Sequence, residues 1–243
     1  GRIDITLHPD NYKYLFTDEV YAIAYLYSLK TAFFSTLICL ALGFPMAYAI
    51  SRTSKSTQNL LLLVIILPFW TSFLLRVYAL EGIIRENGLI NSALLWLGLI
   101  HQPLKIMRTS LAVYLGIIYS YLPFMVLPLY AALEKLDPTL LEAAADLGAT
   151  PWRAFWRVTF PLSRPGVAAG SLLCFIPIVG EFVIPDLLGG PQSLMIGRTI
   201  WTEFFANRDW PSASAVAIVL LATLTLPILA YQHQQARALE GRR

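Results

Sequence analysis

A polar stretch from Glu134 to Pro165, set between apolar runs long enough to cross a bilayer, restricts the folding of this chain more than any other feature. It is written as two short helices. Asp137 is placed to cap the first, Pro138 suits a first helical position, and Gly148 falls where a left-handed C-terminal cap belongs. Thr150 and Pro151 repeat the start signal, and Pro161 is expected to stop the second helix. A pair of capped, soluble-type helices between spans is a candidate docking surface. Ala143, Ala144 and Ala145 leave one face without bulk, and Leu140, Leu141 and Leu147 offer apolar anchors. Trp152, Phe155 and Trp156 recur at helical spacing, as do Arg153 and Arg157. The aromatic stripe fits a partner surface, or equally a packing of the loop on its own membrane helices.

Around this island, hydrophobic residues make up 57% of the chain and charged residues 14%, with a mean hydropathy of +0.61. Such values exclude an ordinary soluble domain and predict an all-α polytopic membrane protein folded as one domain over 1–243. A span needs about 20 apolar residues, and five runs qualify, at roughly 24–50, 59–80, 110–133, 167–189 and 212–231. The run 93–100 is too short and is expected to lie at the interface or re-enter. Pro45, Pro68, Pro123, Pro128, Pro177, Pro185 and Pro227 fall within the spans, where prolines kink helices and free carbonyls. Cys39 and Cys174, both mid-span, read as small core residues.

Orientation follows weakly from the loops. Segments 51–58, 134–166 and 232–243 carry nine Lys and Arg, against seven over the greater combined length of 1–22, 81–109 and 190–210. The richer side is expected to face the cytosol. Residue 1 then lies outside, residues 1–22 read as an extracytoplasmic loop, and a sixth span is expected upstream.

A net charge of +3 gives no reason to expect nucleic acid as a partner. The chain has no Gly-x-x-x-x-Gly-Lys-Ser/Thr phosphate loop and no Gly-Lys pair, so an ATP-driven role needs the ATPase on another polypeptide. His8, His101 and His233 are scattered, no metal site is written, and no nucleophile elbow occurs; no catalytic residue is expected. Ionisable groups within spans cost roughly 2.5–3.5 kcal/mol each at a helix centre, so each needs a reason. Lys30 and Arg76 can snorkel from outer ends. Glu181 lies deep, between Pro177, Gly180 and Pro185, where an irregular helix lining a cavity is expected. It reads either as a carboxylate on a cation pathway or as half of a structural ion pair, with Arg76 a possible partner. Asp186 lies nearer the outer rim. Trp70 and Tyr121 are further candidates for the pathway.

Glu142-Ala143-Ala144, followed after three residues by Gly148 and then by Val158, Phe160 and Pro161, resembles the EAA signature of ABC-importer membrane subunits. That pattern ends in Ile-x-Leu-Pro, so Val158 and Phe160 are conservative departures. The runs at 67–78, 121–130, 180–191 and 207–211 resemble polyamine-importer permeases, most of all the putrescine type, over essentially the whole chain. The resemblance implies a type I ABC importer transmembrane domain in the inner membrane, usually of six helices. It also implies a second similar permease, two ATPase subunits that bind ATP and magnesium, and a periplasmic substrate-binding protein. The ATPases would dock on 134–166, with Glu142, Ala143, Ala144, Asp146, Leu147 and Gly148 at the coupling surface. A permease of this type for ferric ion or another organic cation, and a self-sufficient secondary transporter, are the alternatives.

Overall fold

The computed structural model describes residue 15 and residues 17–240, with side chains to residue 229 apart from 226 and 227. The expected outer placement of residue 1 lies outside the described residues. The regular elements among those residues are all helical, with no strand among them. In order they form α1 (Glu19–Ser51), α2 (Lys55–Ile66, prolonged by a 3₁₀ turn, Leu67–Trp70), α3 (Phe73–Ile84), α4 (Leu89–Trp96) and α5 (Ser110–Glu134). Then come α6 (Thr139–Asp146), α7 (Pro151–Val179), α8 (Val183–Leu187), α9 (Ile196–Trp201, running into a wide turn at Thr202–Ala206) and α10 (Trp210–Glu240).

By length and apolar character α1, α5 and α7 can each cross a membrane. They pack on one another as the central bundle. Lipid is as apolar as leucine, so close backbone approach has to replace the hydrophobic effect in holding such helices together. Most of the buried face of α1 is accordingly small, with Ala24, Ser28, Ala32, Ser35, Cys39, Gly43 and Ala47 between the larger Tyr21, Phe44 and Ile50. On α7, a Cβ added at Gly166 would lie 2.6 Å from Ala132 Cβ and 2.8 Å from the Pro128 carbonyl, and one at Gly170 would lie 2.8 Å from Met125 Sδ. The two helices therefore touch almost backbone to backbone. Cys39 and Cys174 are buried free thiols in this bundle.

Two expectations are corrected here. The run 59–80 is not one straight span: α2 with its 3₁₀ turn and α3 with α4 form two legs bent by 96°. Pro68 has no N–H to continue the ladder, and both the amide and the hydroxyl of Thr71 close on its carbonyl, at 3.2 and 2.7 Å. Nor does Pro161 stop a helix. Residues 151–179 form one helix, because the segment Phe155–Thr159 widens to a π turn in which the Phe160 amide reaches the Phe155 carbonyl. The widened turn takes in Pro161 without ending the helix, just as Pro45, Pro123 and Pro128 lie within α1 and α5.

At the loop end of the bundle, Gln58 is buried and fully engaged. Its amide donates to the carbonyls of Ser51 (3.2 Å) and Thr53 (3.0 Å) and its oxygen accepts from the Tyr130 hydroxyl (3.0 Å). Beside it Lys55 pairs with Glu134, a contact that holds this carboxyl below the usual range and raises the ammonium. Gln58→Ala removes all three of these hydrogen bonds from a buried position and is expected to cost about 1–3 kcal/mol. Thermal unfolding of the purified protein in detergent, beside an exposed control such as Thr57→Ala, checks this.

Candidate functional site

α7 ends at Val179, and the chain leaves helical geometry before α8 begins at Val183. Pro177 and Pro185 weaken the ladder on either side, as the sequence suggests. Glu181 sits in this break, 6% exposed. Its Oε1 accepts from the amides of Phe182 (3.1 Å), Val183 (2.9 Å) and Ile184 (3.4 Å), the unsatisfied donors that open α8. Its Oε2 accepts from the Tyr121 hydroxyl of α5 at 2.5 Å. A carboxylate is thus held at the break by neutral donors only. The alternative reading of Glu181, an ion pair with Arg76, is not what forms: the ion pairs among the described residues are Lys55–Glu134, Arg85–Glu81 and Arg198–Asp186.

Glu181 and Tyr121 open on a cavity of about 750 Å³ whose other walls come from the α2–α3 bend, α5 and α7. Phe69, Phe73 and Phe124 supply an aromatic wall, with Phe69 and Phe124 edge to face at 5.1 Å and Phe124 6.0 Å from the Tyr121 ring. Arg76 also lines it. Rather than snorkelling, its guanidinium lies 4.4 Å from the Phe69 ring centroid and 5.6 Å from that of Phe73, and its Nε is buried without a hydrogen-bond partner. The bend at Thr71 and Ser72 turns it inward. Sequence reading missed this because the bend itself was missed.

The other two pathway candidates lie apart. Trp70 is 82% exposed and outside the cavity lining, and Asp186 is paired with Arg198 at 3.1 Å. An aromatic series runs on from the cavity wall: Phe182 stacks on Trp201 (6.3 Å), which meets Phe205 (5.4 Å) and then Phe204 and Trp210. The hairpin carrying it is seated deep by the Ile196 amide, which donates to Ser28 Oγ at 2.7 Å.

The polar loop forms a second site. Asp137 caps α6 by accepting from the Thr139 amide at 2.9 Å, which holds its carboxyl below the usual range. Gly148 has φ +77°; its amide reaches the Ala145 carbonyl at 2.8 Å and that of Ala149 reaches Ala144 at 2.9 Å, a Schellman closure. Thr150 caps α7, its Oγ1 3.4 Å from the Arg153 amide. Glu142, Ala143, Asp146, Leu147 and Gly148 are exposed, and Ala144 is half-buried. Leu147 is 89% exposed, an unusual position for a leucine without a partner. The aromatic stripe divides: Phe155 packs on Phe44 at 5.4 Å, while Trp152 and Trp156 stay exposed.

Comparison with known proteins places this geometry. The spermidine/putrescine transport system permease protein PotB of Escherichia coli K12 is 45% identical over 222 residues, covering 91% of this chain and 80% of that protein. The inner membrane ABC transporter permease protein YdcU of the same organism is 34% identical, covering 89% and 72%. The molybdenum transport system permease protein ModB of Mycobacterium bovis is 33% identical, covering 85% and 76%. Among solved structures, a bacterial ABC transporter involved in the import of the acidic polysaccharide alginate shares the fold at a TM-score of 0.74 and 19% identity, covering 96% of this chain and 85% of that one. A bacterial alginate ABC transporter in complex with its alginate pentasaccharide-bound periplasmic protein does so at 0.79 and 21%, covering 96% and 84%. The family of binding-protein-dependent transport system inner membrane components matches residues 24–238, and the chain belongs to that family.

Proposed function

We propose that this chain is a permease subunit of a polyamine importer, and that the cation passes Glu181 on its way through the membrane. The observation that carries the reading is the carboxylate itself, placed at the break between α7 and α8 and opening on an aromatic cavity. A fixed anion in a low-dielectric passage lowers the desolvation barrier for a cation and raises it for an anion, and aromatic faces add to the same preference. The relationship to PotB, named for spermidine and putrescine, points to the same class of solute.

In this reading the 134–166 loop faces the cytosol and two ATPase subunits dock on it, holding ATP and its magnesium themselves. A second permease completes the pathway, and a periplasmic binding protein delivers the substrate. Closure of the ATPases moves the loop, and the bundle alternates between inward and outward openings by rigid-body rotation. Exposed Leu147 and the bare alanine face of α6 suit close approach by another protein.

Glu181→Gln separates charge from shape, since an amide oxygen still accepts from the three amides at the start of α8. Reconstituted with ATPase, second permease and binding protein in proteoliposomes, the variant is expected to assemble normally and to lose about tenfold or more in putrescine uptake. Undiminished uptake removes Glu181 from the pathway. If the wild-type complex carries no polyamine but does carry ferric ion or another organic cation, the substrate assignment falls and the permease role stands.

A further inference from the structure

Arg76 is a positive charge fixed in a cavity that, on the reading above, takes a cation. Its guanidinium lies over Phe69 and Phe73 at 4.4 and 5.6 Å from the ring centroids, and its Nε has no hydrogen-bond partner. It makes no ion pair with Glu181, although both side chains line the same 750 Å³. Arg76 is half-buried with its Nε fully covered, and where an arginine held for structure alone is ordinarily matched to a carboxylate or to carbonyls, this one lies against π faces. The aromatic wall therefore already holds an organic cation, supplied by the chain itself.

We infer that Arg76 is a tethered cation occupying the aromatic half of the substrate cavity, and that it sets the length of polyamine the pathway accepts. The cavity then has two subsites of unlike character. One is anionic, built from Glu181 with Tyr121, and it anchors one ammonium. The other is the Phe69–Phe73 face, attractive to cations in itself but filled by Arg76. A short diamine anchored at Glu181 keeps its second ammonium short of the guanidinium. A longer diamine or a triamine carries positive charge towards it, and like charges brought together in a poorly hydrated space repel strongly. The inference rests on the polyamine reading of the cavity.

The test is competition of labelled putrescine uptake by a series of unlabelled α,ω-diamines of increasing length, and by spermidine, in the fully reconstituted importer. Wild type is expected to be inhibited progressively less well as chain length grows. Arg76→Gln is expected to flatten that dependence, improving competition by the long amines about tenfold relative to putrescine. Arg76→Lys, which restores the charge, is expected to return the wild-type profile. A Gln variant whose length profile superimposes on wild type overturns the inference while leaving the polyamine reading intact. A Lys variant that behaves like Gln overturns it as well. If Gln does not assemble, Arg76→Met, neutral and similarly long, is read in the same way. Wild-type complex that takes up no polyamine at all brings down both the reading and the inference.

Discussion

Replacing Gly148 by valine is expected to abolish substrate-stimulated ATP hydrolysis and reduce uptake by an order of magnitude or more, in a protein that still inserts and folds. The backbone at 148 is at φ +77°, in the left-handed region, where an L side chain costs roughly 1–2 kcal/mol and a β-branched one more. A Cβ there would meet nothing within 4 Å, so the effect is one of backbone conformation and not of crowding. Relief of that strain breaks the two closing hydrogen bonds to Ala144 and Ala145 and re-aims α6 relative to the start of α7. Asparagine tolerates the left-handed region, so Gly148→Asn should keep most of the activity. Equal losses from Val and Asn would show that the turn's geometry is not what matters, and wild-type uptake by the Val variant would remove the loop from the coupling path.

Gly197→Ala is the second substitution with a large expected effect. A Cβ at this position would lie 2.2 Å from the Gly180 carbonyl oxygen and 2.7 Å from that of Glu181. Both obstacles are backbone, so neither can swing aside. The hairpin bearing α9 must lift from the end of α7, losing the Ile196–Ser28 hydrogen bond and shifting Glu181 within its cavity. Overpacking of this kind costs about 1–3 kcal/mol or more. The expected result is a lower unfolding temperature together with loss of uptake. Gly82→Ala in α3, which has nothing within 4 Å of the added carbon, is the control and should be neutral or slightly stabilising. Wild-type stability and transport in Gly197→Ala would mean that the close approach of the two segments is not maintained in the membrane.

What could be read ahead of the structure is what local chemistry decides. Asp137, Gly148 and Thr150 each act within three residues of themselves, and the helix ends they mark are found to within a residue. The break at Glu181 was legible for the same reason, since Pro177, Gly180 and Pro185 flank it in sequence. Pro161 misled because a proline's local effect is to end a helix, whereas its effect here depends on whether the ladder one turn earlier can widen. Arg76 was illegible for a different reason. Its position depends on a 96° bend, and the groups that receive it include Phe69 across that bend and a cavity wall from α5 and α7. No periodicity within 59–80 carries that information. Trp70 and Asp186, chosen by residue type, lie away from the cavity because type says nothing of direction.

On the proposed reading, the unbroken course of α7 serves as a lever. One end of the rod is the capped start at Pro151, beside the Gly148 turn; the other is Val179, next to the carboxylate of Glu181. Between them, Gly166 and Gly170 press on α5 with no side chain intervening, which makes a natural fulcrum. At 1.5 Å per residue the arm on the loop side is roughly 22 Å and the arm on the cavity side roughly 14 Å. A sideways push of roughly 3 Å at Pro151 would swing the far end by roughly 2 Å in the opposite direction, by simple ratio of those arms. Had Pro161 cut the helix, as the sequence suggested, the stroke would have been spent in a joint halfway. The gearing also reduces displacement while raising force, which on the proposed reading suits an end that has to loosen a carboxylate from a held cation.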